Sequence, residues 1–174
     1  GLHRLAAALS AHGIPIAVAT SAPRQNVEHT LRELGLASFT GCIVRGDDNY
    51  VRIGADTNVQ DGTIIHISKD THPTIVGARV TIGHGAILHG CTVEDDAMIG
   101  IGSTVLDGAV VCRGAIVAAG AMVPPGKRVG PGEMWSGVPA KLQRPVKPGE
   151  TEFIARNAGH YHQLAMSYVG AKPA

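Results

Sequence analysis

The sequence predicts an all-β solenoid: a parallel β-helix of hexapeptide repeats with a C-terminal α-helix, preceded by a short helix–strand–helix segment. Three observations predict it. An aliphatic residue recurs every six positions through Ile53, Val59 and Ile65, and the register resumes at Val76, Ile82 and Leu88. After a slip of one residue it runs on through Val93, Ile99, Val105, Val111, Val117, Val123 and Val129. Small residues often stand four after these positions, as at Thr57, Thr63, Ala86, Thr92, Ala97, Ser103, Ala109, Ala115 and Ala121. Gly recurs two or three after them. A helix would not repeat at six, and each Gly in a helix would cost roughly 1 kcal/mol relative to Ala. Short strands that each turn one side chain inward account for the period, with Gly giving the backbone freedom for corners.

Composition narrows the class further. With one Trp, three Tyr and two Phe in 174 residues, the core must be built from Val, Ile, Leu and Ala. A formal net charge of +1, from scattered Lys and Arg, gives no electrostatic case for nucleic acid or an anionic membrane as partner. Cys42, Cys91 and Cys112 are odd in number and far apart, which excludes a CxxC zinc knuckle and argues against a disulfide framework. No apolar run approaches the roughly 18 residues of a membrane helix, and no cleavage signal is present. The expected setting is soluble and cytoplasmic.

Taken in order, residues 1–37 have their own grammar. Leu2, Leu5, Ala6 and Leu9 keep a helical period that Gly13 ends, and Ile14–Thr20 is apolar enough for a strand covered on both faces. Ser21 and Pro23 open a second helix carrying Val27, Leu31 and Leu34, which Gly35 ends. The string AHGIPIAVATSAPRQNVEHTLRELGL resembles the second conserved segment of haloacid-dehalogenase-type phosphatases, which implies that Thr20 or Ser21 would hold a phosphoryl group. The nucleophilic DxD strand of those enzymes is absent, so this piece reads as a fused fragment capping the coil. Residues 38–147 form the coil, with Lys69–Thr74 breaking the period as a loop and Gly126–Pro148 closing the end. In residues 148–174, Ile154, Ala158, Tyr161, Ala165 and Tyr168 make one helix face, entered near Pro148–Thr151, that should lie along the outside of the coil.

The chemistry concentrates in Val59–Gly90, which holds His66, His84 and His89. His66 and His84 are three repeats apart, so they are expected one above the other on neighbouring turns. Three neutral imidazoles would fix a divalent metal and leave positions open for water. The bound water would then ionise near neutral pH.

Arg45-Gly46-Asp47, Gln60-Asp61-Gly62, His66, Gly83-His84 and His89-Gly90 together resemble the γ-class carbonic anhydrases over about residues 41–168. The resemblance implies a left-handed coil, a homotrimer and reversible hydration of CO2 to bicarbonate at metal sites between subunits. His66 and His89 would come from one subunit and His84 from its neighbour, holding zinc, with iron or cobalt as other occupants. It further implies that Gln60 bonds the metal-bound water, that Arg45 and Asp47 bridge subunits with Asp61 in the same network, and that Tyr161 reaches the site. His72 in the loop is a candidate proton carrier. Because the family pattern stops before residue 41, the chain reads as a natural or artificial chimera. Trp135–Lys141 (WSGVPAK) resembles the closing stretch of hexapeptide acyltransferases, which use one catalytic His as base. Acyltransferase, metal-dependent acyl-CoA thioesterase and non-catalytic trimeric scaffold are the alternative functions.

Overall fold

The computed structural model describes residues 43–46 and 49–168. Each turn of the coil contributes one short strand to each of three sheets. The first sheet contains β1 (Ile43–Val44), β4 (Ile64–His66), β7 (Ile87–His89), β10 (Thr104–Val105) and β13 (Met122–Val123). The second contains β2 (Val51–Ile53), β5 (Thr74–Val76), β8 (Thr92–Val93), β11 (Val110–Val111) and β14 (Arg128–Val129). In the third, β3 (Asn58–Val59), β6 (Thr81–Ile82), β9 (Met98–Ile99), β12 (Ile116–Val117) and β15 (Glu133–Ser136) run parallel. An antiparallel strand, β16 (Lys141–Pro145), ends that sheet. The fold is the expected left-handed parallel β-helix, a triangular prism with a sheet on each face.

The repeat explains the core. Ile65, Val76, Ile82, Leu88, Val93, Ile99, Val105, Val111, Val117, Val123 and Val129 are almost wholly buried along the axis. Their registers pair like with like, as in Val105 beside Leu88 and Val117 beside Ile99. Small residues fill the space inside the corners, where Ala86, Ala97, Ala109, Ala115 and Ser103 are buried. Val80 takes one of these places, a core position outside the six-residue series.

Among the described residues one helix, α1 (Pro148–Tyr168), packs its Ile154 and Ala158 against the third sheet beside β3 and β6. Asn157 Nδ2 donates to Thr81 Oγ1 at 3.1 Å, tying the helix to that face. The helix–strand–helix expectation for residues 1–37 lies outside the described residues. No helix among the described residues is long and apolar enough to cross a membrane.

Stacked corners set the geometry of everything below. Between the first and second sheets, Gly90 N–H bonds to His66 O at 3.1 Å and Gly108 N–H to Gly90 O at 2.7 Å. Between the third and first sheets, Gly85 N–H bonds to Asp61 O and Gly102 N–H to His84 O. His84 and the pair His66–His89 therefore occupy different edges of the prism.

Candidate functional site

The stacking of His66 on His84 is not what forms. A regular turn takes 18 residues, as from Thr104 to Met122, but the turn from His66 to His89 takes 23. The difference is the loop after β4, which moves the register so that His66 stands beside His89 in the sheet. His66 Nδ1 and His89 Nε2 are 3.1 Å apart, with ring centroids at 5.1 Å and planes tilted by 52°.

One coil further, Asp107 continues the same edge. His89 Nδ1–H donates to Asp107 Oδ1 at 2.6 Å, which assigns the bare lone pair to Nε2. That lone pair accepts from His66 Nδ1–H, which makes His66 the outer member of the chain from Asp107 through His89. Burial pushes the Asp107 carboxyl up, but hydrogen bonds from His89 and Ser68 and the charges of His89 and His72 outweigh it. The group is held below the usual carboxylate range. Thr74 Oγ1 donates to His66 O and anchors the strand carrying the outer imidazole.

The other expected site residues are dispersed. Arg45 N–H bonds to Ile65 O at 2.9 Å, which puts Arg45 one coil before His66 on the same face. Gln60 lies on the third face, its Nε2 donating to Asn58 Oδ1 at 3.3 Å. Asp61 and His84 share the corner between the third and first sheets; their side chains are 85% and 51% exposed and 4.0 Å apart. Tyr161 sits on α1, its ring edge-on to His160. Asp47 lies outside the described residues.

Asp107 was missed by sequence reasoning. The signal for Asp107 was present, since it follows His89 by one regular turn.

No family model matches the chain. Among curated relatives, the mitochondrial γ carbonic anhydrase 1 of Arabidopsis thaliana is 46% identical over 146 residues, covering 80% of this chain and 53% of that protein. The chain thus spans about half the length of that relative. A hexapeptide transferase family protein from Anaplasma phagocytophilum superposes with a TM-score of 0.70 at 40% identity, covering 74% of this chain and 75% of that one. A Bacillus cereus protein assigned as an acetyltransferase superposes with a TM-score of 0.73 at 36% identity, covering 75% and 76%. The chain belongs to the hexapeptide-repeat left-handed β-helix family that contains γ-carbonic-anhydrase-type and acyltransferase-type members.

CO2 hydration at a three-histidine centre is corrected by these findings. Among the described residues no group of three or more His, Cys, Asp or Glu side chains could hold a metal ion. The solved structures at 36–40% identity are transferase-class. Within one chain the longer turn pairs His66 with His89 and leaves His84 on another edge, so the described residues bring together two of the three imidazoles. As a fit test for zinc, two imidazole nitrogens 3.1 Å apart are spaced much as two ligands of one tetrahedral ion. The described residues of one chain add no third.

Proposed function

We propose that this protein is an acyltransferase of the hexapeptide class, moving an acyl group from a thioester donor to a hydroxyl or amine acceptor. The observation that carries the reading is the directed chain from Asp107 through His89 to His66. As the acceptor O–H or N–H attacks the thioester carbonyl carbon, its proton passes to His66 Nε2. The resulting imidazolium is steadied through His66 Nδ1–H, His89 and the ionised Asp107, which stays deprotonated as in other His–Asp relays. The tetrahedral oxyanion collapses, the C–S bond breaks, and the thiolate leaves with the proton held by His66. The two transferase-class solved structures support this class of chemistry.

Two further parts belong to the same reading. Zinc held by His66 Nδ1 and His89 Nε2 would replace the proton between them, so in a metal-loaded form it would supply a Lewis acid for the thioester carbonyl in place of the relay. The outward side chains of Ile43, Ile64 and Ile87 form one apolar row on the first face, each a little over a third exposed, suited to contact between copies in a homotrimer.

The test is thiol release from a panel of short-chain acyl-CoA esters, with and without amine and alcohol acceptors. Acceptor-dependent release that His66→Gln abolishes supports transfer. Acceptor-independent release would make the protein a thioesterase, and no release with any ester would overturn the reading.

A further inference from the structure

The corner between the second and third sheets differs from the other two. The residue there whose N–H bonds to the coil before is Arg79, then Asp96, Gly114 and Gly132. Arg79 and Asp96 take φ 55° and 58°, and Asp56 one coil earlier takes 57°. At the other two edges the same left-handed positions are held by glycine, as at Gly85 and Gly102 or at Gly90 and Gly108. A residue with a β-carbon is strained in that conformation. Three successive coils therefore carry this strain at one edge.

The same edge holds a continuous ladder of charge. Arg79 grips Asp96 with two prongs, Nε to Oδ1 at 2.6 Å and Nη2 to Oδ2 at 3.0 Å. From the next coil Arg113 Nη1 donates to Asp96 Oδ2 at 2.5 Å and Nη2 to Asp95 Oδ2 at 2.8 Å. Asp95 Oδ1 accepts from Ala78 N–H at 3.0 Å, and it lies so close over Gly77 that a β-carbon there would collide with it. Glu94 extends the ladder, its Oε2 accepting from Arg113 N–H at 2.9 Å and its Oε1 standing 3.7 Å from Arg128 Nη2. One exposed ion pair contributes little, but a two-pronged arginine within a network of several charges does contribute. The side chains of Asp95 and Asp96 are 34% exposed, which leaves their charges open to screening by salt.

We propose that the Arg79–Asp96–Arg113 ladder is a salt-sensitive clasp: it holds closed one edge of the three successive coils that begin at His66, His89 and Asp107, and without it that edge opens while the rest of the coil stays folded. Asp96 is its centre, hydrogen-bonded to both arginines. The clasp does not rest on the acyl-transfer reading.

The test is native-state hydrogen exchange, followed by NMR on the whole chain. The reporting amides are those of residue 96, bonded to Ala78 O, and Gly114, bonded to Asp95 O; Gly85 and Gly102 on another edge are the reference. Asp96→Asn keeps a side chain that tolerates the left-handed backbone but removes the charge. It is expected to lower protection at both reporting amides about fivefold or more relative to the reference. In the wild type, raising NaCl from about 0.05 to about 1 M should act in the same direction, and in Asp96→Asn it should do almost nothing. Asp96→Gly removes the strain together with the ladder and should recover part of the loss. Equal protection in wild type and Asp96→Asn, a wild-type edge indifferent to salt, or an Asp96→Gly variant no better than Asp96→Asn would overturn the proposal. So would a loss shared equally by the reference amides, because the ladder would then act on global stability and not on one edge.

Discussion

Gly90 lies directly beneath the Asp107 carboxylate. A β-carbon built on Gly90 would stand 2.5 Å from Asp107 Oδ1 and 3.0 Å from His72 Cβ, on a backbone with φ 56°. Any side chain at this corner therefore has to displace the carboxylate that orients His89, besides adopting a left-handed backbone that L-residues disfavour by about 1–2 kcal/mol. Gly90→Ala should destabilise the protein by roughly 1–3 kcal/mol. It should also move the His89 imidazole resonances in an NMR spectrum. Denaturant unfolding checks the first outcome; a variant with wild-type stability and an unmoved His89 would contradict the packing described for this corner.

His66 and His89 act in series, so they should not contribute independently. His66→Gln removes the basic nitrogen itself and should reduce kcat/KM for acyl transfer by about 10²–10⁴. His89→Gln leaves His66 in place without its link to Asp107 and should fall in the same range. The double variant should be little worse than either single, as for groups that work as a unit. Steady-state kinetics on the three variants decide the matter, and additive losses would show that the two imidazoles serve separate steps.

The coil was legible because its chemistry repeats. A β-helix needs one inward aliphatic residue per short strand, and the positions from Ile65 to Val129 that keep the six-residue period are the ones buried on the axis. The helix face was legible for the same reason, with Ile154 and Ala158 buried at their expected spacing. Counting failed at Lys69–Thr74. Sequence spacing treats every turn as 18 residues, whereas the loop makes one turn 23 and exchanges His84 for His89 as the neighbour of His66. Loop length was visible, but its effect on which corners line up depends on where the loop leaves and rejoins the coil. Asp107 was recoverable by the correct count, one regular turn after His89. The dispersal of Gln60, Asp61 and Tyr161 was not, because the motifs that contain them say nothing about which edge of the prism each reaches.

Leu88 and Ile99 are wholly buried on the axis, with like residues above and below in register. The coil is continuous, so nothing can collapse into a void without disturbing strands in three sheets. Leu88→Ala or Ile99→Ala should each cost about 2–5 kcal/mol, the range for deleting a large aliphatic side chain from a packed core. Val110, whose side chain is turned away from the axis and only half-buried, should tolerate Ala at well under half that cost. Urea unfolding of the variants separates the two classes, and a loss at Val110 equal to that at Leu88 would mean the outward face is covered.

The start of α1 contains a pH-dependent latch. Glu150 reaches back so that Oε2 accepts from Lys147 N–H at 2.8 Å, while Arg144 makes a two-pronged bond to both carboxylate oxygens at 2.7 and 2.8 Å. Pro148 occupies the first helical position, where its missing N–H is harmless. The carboxylate thus caps an unsatisfied helix N–H and secures the helix to β16. The Arg144 hydrogen bond, followed by the one from Lys147 N–H, draws the Glu150 carboxyl down from an ordinary 4.5 to about 2. Because the folded value is the lower one, the ionised latch favours the folded state above pH 4.5, and that contribution fades as pH falls toward about 2. Near neutral pH, Glu150→Gln should therefore lower the thermal midpoint, whereas near pH 2 the wild type and the variant should converge. Carbon-detected NMR of the Glu150 carboxyl checks the cause directly: titration close to 4.5 in the folded protein would show that the pair with Arg144 is not formed in solution.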